Sequence, residues 1–217
     1  MLLAARDDDG SRMTNRQLRD EAITIFLAGH ETTANALSWT WMLLAQNPNV
    51  ETKLHEELDR VLGGRTPNVE DLANLRYTNH VVTESMRLYP PAWGMARVAL
   101  DNTEIAGYPI AKGCGVSLAQ WVVHRDPRWF DAPTEFRPER WEGDLLKRLP
   151  RFAYFPFGGG PRQCIGNNFA VMEASLLLAT LAQQFRISLT PGREIIPSAS
   201  ITLRPKTGIW GKIEKRV

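Results

Sequence analysis

The sequence predicts a mainly α-helical domain with a small β region. Apolar residues at helical spacing cover most of the first ninety residues and return in a second long stretch after residue 165. The strand signals are much shorter and lie in the middle and at the end of the chain. A chain of 217 residues with 43% hydrophobic residues is large enough to bury a substantial core.

The first helix is predicted over residues 14–46. Thr14 and Gln17 have the spacing of a capping box, and Asn47-Pro48 ends the helical pattern. The middle of this helix, residues 28–33, is polar and contains Gly29, although a helical glycine costs about 1 kcal/mol relative to alanine. A polar centre in an otherwise apolar helix suggests a cavity or a site.

Shorter elements follow the first helix. Two helices are predicted at residues 50–62 and 77–88, the second cut by Pro90-Pro91. A turn is predicted at residues 107–109. Short strands are predicted at residues 97–100, 103–105, 115–118, 186–189 and 200–203.

The stretch at residues 124–161 has little periodicity and is rich in Pro, Arg, Trp and Phe. A long irregular stretch inside a compact domain is usually functional. A strong helix is predicted after it, at residues 165–185. Because no repeat, low-complexity segment or linker is visible, we expect a single domain over residues 1–217.

Composition argues against several classes of protein. The net charge of +2 is too small for a typical nucleic-acid-binding protein. Two cysteines cannot build a disulfide framework or a Cys-rich zinc site, so a reduced, cytoplasmic setting is expected. The N-terminus lacks the pattern of a signal peptide. The most apolar run, residues 34–45, is too short and too polar for a membrane span.

The most informative stretch runs from Phe157 to Gly166 and contains three successive glycines before Cys164. Glycines allow the backbone to approach a bound group closely, and Gly166 keeps the following turn thin. Cys164 is predicted at the first turn of the long helix. The unpaired N–H groups and the positive end of that helix stabilise an anionic thiolate, which is a good metal ligand.

Three other kinds of site can contain a glycine-rich or cysteine-containing stretch. A phosphate-binding loop needs Gly-Lys-Ser/Thr after its glycines, which Pro161-Arg162-Gln163 does not supply. A cysteine phosphatase needs an arginine six residues after the cysteine, where this chain has Ala170. A buried structural cysteine is common in general, but the glycine loop, the arginine and the helix start argue against it here.

The pattern Phe157-x-x-Gly160-x-Arg162-x-Cys164-x-Gly166 resembles the heme-binding signature of the cytochrome P450 superfamily. The resemblance implies heme (iron protoporphyrin) as cofactor and the Cys164 thiolate as iron ligand. It also implies that Phe157 packs near the sulfur and that Arg162 contacts a heme propionate. Arg97 matches a second propionate-binding arginine of the family, although a surface arginine on an edge strand has the same pattern.

Two further motifs of the family have counterparts in the expected order. Glu84-x-x-Arg87 lies on a predicted helix, and Arg140 lies in a Pro-Glu-Arg stretch. The resemblance implies that Glu84, Arg87 and Arg140 form one hydrogen-bonded triad that locks the cysteine loop. Since an exposed Glu–Arg pair contributes little, the motif depends on burial.

Residues 28–33 resemble the oxygen-activation stretch on the long central helix of the family. Glu31 and Thr32 would then be an acid–alcohol pair whose hydroxyl holds water and helps deliver protons. A carboxylate and a hydroxyl on a solvated helix face are the alternative. The resemblance also implies a substrate pocket, with Ala28, Trp93, Met95 and Ser200 as candidates, although Trp93 and Met95 also suit a core.

The resemblance extends from Thr14 to the end of the chain and implies the C-terminal, heme-binding part of the P450 fold, without its N-terminal half. The implied activity is insertion of one oxygen atom of dioxygen into a small, apolar organic substrate. Electrons would come from a ferredoxin, a flavodoxin or a reductase, because the sequence has no flavin or iron–sulfur motif. The alternative is a truncated, catalytically inactive heme-binding or structural fragment.

Overall fold

The computed structural model describes residues 2–216, in which long helices dominate and the strands are short. The helices are α1 (Asn15–Gln46), α2 (Pro48–Leu62), α3 (Arg76–Leu88), α4 (Gln120–Val123), α5 (Leu145–Arg148) and α6 (Asn167–Ala182). Short 3-10 segments lie at Leu2–Ala4, Val69–Ala73, Pro138–Trp141 and Gly160–Arg162. The predicted fold class, mainly α with a small β region, is confirmed.

The strands of the described residues pair as four separate antiparallel ribbons. The first four strands are β1 (Met95–Val98), β2 (Thr103–Ile105), β3 (Tyr108–Ile110) and β4 (Gly115–Leu118), and β1 pairs with β4 and β2 with β3. The last four are β5 (Phe185–Leu189), β6 (Pro197–Ala199), β7 (Leu203–Pro205) and β8 (Gly211–Lys215), and β5 pairs with β8 and β6 with β7.

The bounds of α1 follow from its caps, as the sequence predicts. Thr14 Oγ1 accepts the Gln17 N–H at 3.3 Å, and Gln17 Oε1 accepts the Thr14 N–H at 2.9 Å. The helix ends at Asn47 because Pro48 already opens α2. Its 32 residues span about 48 Å at 1.5 Å per residue.

Only the C-terminal half of α1 enters the core. Trp39 and Leu44 are fully buried, and this half packs against α3 and α6. In the N-terminal half, by contrast, Ile25 and Phe26 are 56% and 65% exposed. The polar stretch around Glu31 therefore lies where the helix passes from exposed to buried.

The predicted strand at residues 200–203 is wrong. Ser200, Ile201 and Thr202 form the turn between β6 and β7, closed by a hydrogen bond from Ser200 N to Thr202 O at 3.2 Å. The alternation of polar and apolar residues imitates a strand, but Ile201 points into solvent and is 94% exposed.

The turn predicted at residues 107–109 is also displaced. Ala106 and Gly107 have the positive φ angles of a tight hairpin turn, +51° and +85°, so Tyr108 already belongs to β3. The strand predicted at 97–100 begins and ends two residues earlier, because β4 begins at Gly115 and pairs there with Val98. The helix predicted at 50–62 begins two residues earlier, at Pro48, and the helix predicted at 77–88 begins one residue earlier, at Arg76.

Within residues 2–216, none of the helices combines the length and the apolar character needed to cross a membrane.

Candidate functional site

Glu84 and Arg87 form an ion pair that is wholly buried. They lie three positions apart on one face of α3, and both side chains are 0% exposed. Arg87 Nε and Nη2 each donate to a different oxygen of the Glu84 carboxylate at 2.9 Å. Arg140, from the 3-10 segment Pro138–Trp141, donates its Nε–H to Glu84 Oε1 at 2.7 Å. The structure thus brings the three residues of the predicted triad together.

Two more donors complete the hydrogen bonding of the Glu84 carboxylate. Trp141 Nε1 donates to Oε2 at 2.9 Å, and the Arg137 backbone N–H donates to Oε1 at 3.1 Å. Sequence reasoning did not single out either residue, although both flank the Pro-Glu-Arg motif. The Glu84 carboxylate thus accepts hydrogen bonds from Arg87, Arg140, Trp141 and the Arg137 backbone. A buried charge is tolerated when it is paired and hydrogen-bonded in this way.

Arg87 also anchors the irregular segment that follows α4. Its guanidinium donates to the carbonyl oxygens of His124 at 2.8 Å, Pro133 at 2.7 Å and Glu135 at 3.1 Å. These backbone carbonyls have no helix or sheet ladder to satisfy them, so the guanidinium takes that place. The buried ion pair therefore orders backbone well beyond α3.

The glycine loop before Cys164 needs its glycines for its own conformation. Gly158 and Gly160 have φ angles of +72° and +69°, which favour glycine over residues with a side chain. A Cβ on Gly159 would lie 2.3 Å from Cε1 of Phe152. The structure thus gives these glycines a role in backbone shape and internal packing. The close approach of a bound group, expected from the sequence, stays a prediction.

Cys164 lies at the end of this loop as an exposed free thiol. Its N–H donates to the Phe157 carbonyl at 2.9 Å. The helix predicted from residue 165 begins at Asn167, because Gly166 is a non-helical N-cap with φ −91° and ψ 11°. Cys164 therefore precedes the first turn of α6 rather than belonging to it. Its Sγ still lies 3.9 Å from where a Cβ on Gly166, the N-cap of α6, would be, and so near the positive end of that helix.

Apolar side chains on the surface flank the thiol. Ile165 is 100% exposed and Phe169 is 61% exposed. Phe157, at the start of the loop, instead packs against the hydrophobic core. An exposed thiol beside exposed apolar side chains suits a large apolar cofactor that takes a single soft ligand from the protein.

The two arginines predicted to bind carboxylates of the cofactor are both exposed. Arg97, on β1, donates from Nη1 to the neighbouring Ala96 carbonyl at 2.8 Å. Within residues 2–216, no side-chain hydrogen bond or ion pair involves the Arg162 guanidinium. The structure does not bring the two arginines into contact with each other, and each is available to an anion.

The polar stretch of α1 is joined to the C-terminal hairpin. Thr32 Oγ1 donates to the Ala28 carbonyl at 2.7 Å, one helical turn back. Glu31 accepts a hydrogen bond from Thr202 Oγ1 at 2.6 Å, and Thr202 Oγ1 accepts one from Asn35 Nδ2 at 3.2 Å. Thr202 was not singled out from the sequence, because its partner lies 171 positions away.

Three of the candidate pocket residues make contacts that the structure shows. Trp93 Nε1 donates to the Ser200 carbonyl at 2.8 Å, so these two residues are brought together. Met95 lies against the cysteine loop, with its Cε 3.1 Å from where a Gly158 Cβ would be.

His124 is a buried residue of the site that sequence reasoning missed. Its Nε2 accepts the N–H of Phe155 at 2.9 Å, and its backbone carbonyl accepts from Arg87. Burial, helped by the nearby charges of Arg87 and Arg125, lowers the pKa of His124 to about 3, so the ring is neutral. The only signal in the sequence was its position at the start of the irregular stretch.

Known proteins are similar to this chain in sequence and in fold. The family model described as Cytochrome P450 matches residues 1–210. Cyclooctatin synthase of Streptomyces melanosporofaciens is 43% identical over 203 residues, covering 93% of this chain and 44% of that protein. Cytochrome P450 4V2 of Homo sapiens is 40% identical over 219 residues, covering 100% of this chain and 42% of that protein.

A solved structure is similar over nearly the whole chain. The crystal structure of a cytochrome P450 (CYP102L1) superimposes with a TM-score of 0.89 at 32% identity and covers 99% of this chain and 49% of that one. The chain thus spans about half the length of the relatives that it matches, and the matches fall in their C-terminal half.

Proposed function

Because this chain belongs to the cytochrome P450 family, whose members bind heme, we propose that it is the C-terminal, heme-binding part of a heme-thiolate monooxygenase. The whole enzyme would insert one oxygen atom of dioxygen into a small, apolar organic substrate. Electrons would come from a separate ferredoxin, flavodoxin or reductase. A cytoplasmic location fits the two free thiols, Cys114 and Cys164.

The observation that carries the proposal is the setting of Cys164. The thiol is exposed, its backbone N–H is tied to Phe157, and it lies beside the N-terminus of α6. The positive end of that helix stabilises an anionic sulfur, so the residue suits a metal ligand. When bound, heme supplies the redox chemistry of oxygen insertion, and a thiolate ligand favours O–O cleavage.

The residues around Cys164 would hold the cofactor. Arg97 and Arg162 expose guanidinium groups that suit carboxylates such as the heme propionates. Phe157 would shield the sulfur side of the loop, and Gly166 places no side chain beside it. We assign these four residues, with Cys164, as the heme-binding set.

Glu84, Arg87 and Arg140 act at a distance in this proposal. They do not contact the cofactor in this proposal. They contact the backbone that leads to the cysteine loop. We propose that their role is to fix the segment on which the loop is built, because Arg87 satisfies three of its carbonyl groups.

We propose that Glu31 and Thr32 deliver protons during oxygen activation. Since the Thr32 hydroxyl already donates to Ala28, its oxygen is left to accept a hydrogen bond from a water molecule. Glu31 would supply protons to that water. Ala28, Trp93, Met95 and Ser200 would contact the substrate, and the Trp93–Ser200 contact supports placing two of them on one wall.

Replacing the two cysteines separately tests the assignment of the ligand. The chain is loaded with heme, reduced and exposed to carbon monoxide, and its absorbance near the wavelength that gives the family its name is measured. Cys164→Ser should lose this band. Cys114→Ser, which changes the other exposed free thiol, should keep it. A Cys164→Ser protein that retains the band would overturn the proposal.

A non-catalytic heme-binding or structural fragment is the second candidate, because the chain spans only 44% of its relative cyclooctatin synthase. The two candidates differ in turnover. A monooxygenase, supplied with the rest of the fold and an electron donor, forms oxidised product. A heme carrier shows the carbon monoxide band without product.

A further inference from the structure

The His124 imidazole lies between the buried ion pair and the cysteine loop. The residue is fully buried, at 0% exposure. Its carbonyl oxygen is held by Arg87 Nη1 at 2.8 Å, and its Nε2 accepts the backbone N–H of Phe155 at 2.9 Å. The residue is thus anchored by its backbone on one side and binds the loop by its side chain on the other.

Phe155 lies two residues before Phe157, at which the glycine loop begins. Its carbonyl accepts the Gly158 N–H at 2.9 Å, which forms the first turn of the loop. The next anchored carbonyl, that of Phe157, accepts the Cys164 N–H at 2.9 Å. The imidazole bond therefore fixes one end of a short hydrogen-bonded segment, and Cys164 lies at the other end.

The orientation and the protonation state of the ring suit this task. The ring packs against Tyr154 with centroids 5.1 Å apart and edge-on against Phe155 at 5.3 Å. Burial, helped by the nearby positive charges of Arg87 and Arg125, lowers the pKa of His124, so the ring is neutral and its Nε2 accepts the Phe155 N–H. Among residues 2–216, no group hydrogen-bonds to Nδ1, so the Phe155 bond is the one protein hydrogen bond of this side chain that a mutation would remove.

We propose that His124 is a positioning residue for the Cys164 thiolate: its Nε2 fixes the Phe155 backbone and, through the loop, the direction of the sulfur. The inference rests on the proposed function insofar as Cys164 is taken as the iron ligand. A residue that merely fills space in the core would need its ring but not its acceptor nitrogen. The two roles therefore differ in what a substitution must preserve.

Two substitutions separate the acceptor from the ring. His124→Phe keeps an aromatic ring and removes the acceptor, whereas His124→Gln keeps an acceptor oxygen near the Nε2 position and removes the ring. His80→Phe is the control, because His80 is a partly buried histidine on α3 without a hydrogen bond to the loop.

The first measurement is amide hydrogen exchange over residues 152–166 in the chain without heme. With His124→Phe, the Phe155 amide should exchange about fivefold faster, the factor that corresponds to one ordinary hydrogen bond. His124→Gln and His80→Phe should stay within about twofold of the parent protein. Unchanged protection in His124→Phe would overturn the proposal.

The second measurement is the fraction of the heme-loaded, reduced protein that shows the thiolate band with carbon monoxide. It should fall at least severalfold in His124→Phe and be largely restored in His124→Gln. If His124→Phe does not fold, His124→Gln decides alone. A His124→Gln protein that keeps both the protection of the Phe155 amide and the thiolate band supports the proposal. A folded His124→Gln protein that loses both refutes it.

The two measurements also separate this inference from the proposed function. If the parent chain shows no thiolate band at all, the assignment of Cys164 as ligand fails. The exchange measurement then still decides whether His124 holds the loop.

Discussion

Thr202 donates a hydrogen bond from its Oγ1 to the Glu31 carboxylate, with 2.6 Å between the two oxygens. The contact joins α1 to the turn between β6 and β7. Thr202 is buried, whereas Glu31 is exposed, so the hairpin restrains a carboxylate that would otherwise move freely in solvent. Ile201, beside Thr202 at the tip of the turn, is 94% exposed.

Thr202→Val should loosen Glu31 and lower the efficiency of oxygen insertion. Valine has nearly the same shape but no hydroxyl, so Glu31 loses a donor and Asn35 loses an acceptor. A hydrogen bond worth about 1 kcal/mol corresponds to about fivefold in the population of the held carboxylate. We expect a loss of up to that size in product formed per electron pair consumed by the whole enzyme.

The control for this prediction is Thr202→Ser, which keeps the hydroxyl and loses a methyl group. It should retain most of the product yield. If the serine and valine variants lose equally, packing of the turn matters and the hydrogen bond to Glu31 does not.

Glu84→Gln should be strongly destabilising. The amide leaves the guanidinium groups of Arg87 and Arg140 in the core without a counter-charge. Removing one partner of a buried ion pair typically costs about 3–5 kcal/mol. The free energy of unfolding in urea should fall by an amount of this order, and heme incorporation should fall with it.

Asp144→Asn is a matched control, because Asp144 and Lys147 are also three positions apart but are 69% and 79% exposed. Asparagine tolerates the left-handed backbone at this position, where φ is +57°. This variant should unfold at the same urea concentration as the parent. Equal losses in both variants would contradict the special role of burial.

The stability of the protein should depend on pH through His124. Its pKa is lowered to about 3 in the folded state, so the unfolded chain, with an ordinary value near 6.5, binds a proton that the folded chain does not. The stabilisation is therefore complete above pH 6.5 and is lost as the pH falls toward 3. Between pH 7 and pH 5 the loss due to His124 should be about 2 kcal/mol.

The measurement is urea unfolding of the parent chain and of His124→Gln at both pH values. The variant should lose about 2 kcal/mol less than the parent on acidification. His55, whose pKa burial lowers to about 4, contributes equally to both proteins and cancels in the difference. Parallel pH profiles would show that His124 is not neutral in the folded protein.

The helices were predictable because their ends are encoded locally. Thr14 and Gln17 cap α1 with each other, and Pro48 marks its end. The strand bounds were less predictable, because pairing decides them. The alternation at residues 200–203 favours a strand, yet the chain turns there, and Thr202 is bonded to Glu31 and Asn35 of α1 rather than to a neighbouring strand.

The residues of the site also differ in how far the local sequence predicts them. Cys164, Glu84 and Arg87 belong to compact motifs, so the sequence identifies them. His124 is bonded to Phe155, 31 positions away, and Thr202 is bonded to Glu31 and Asn35, 171 and 167 positions away. No local pattern records such a contact, so only the folded chain shows it.

Thr32→Ala should separate oxygen activation from heme binding. The Thr32 hydroxyl donates to the Ala28 carbonyl of its own helix, so its loss leaves the backbone of α1 intact, and alanine has a higher helix propensity. Heme and substrate binding should therefore persist.

Positioned proton transfer is worth about 10²–10⁴ in rate, so in Thr32→Ala electrons should be diverted into hydrogen peroxide and away from product. The measurement is the ratio of product to electron pairs consumed in the whole enzyme. Thr24→Ala is the matched control, since Thr24 makes the same bond to the Asp20 carbonyl at 2.8 Å on the exposed part of α1. An unchanged ratio in Thr32→Ala, or an equal drop in Thr24→Ala, would assign Thr32 a structural role and require another route for the protons.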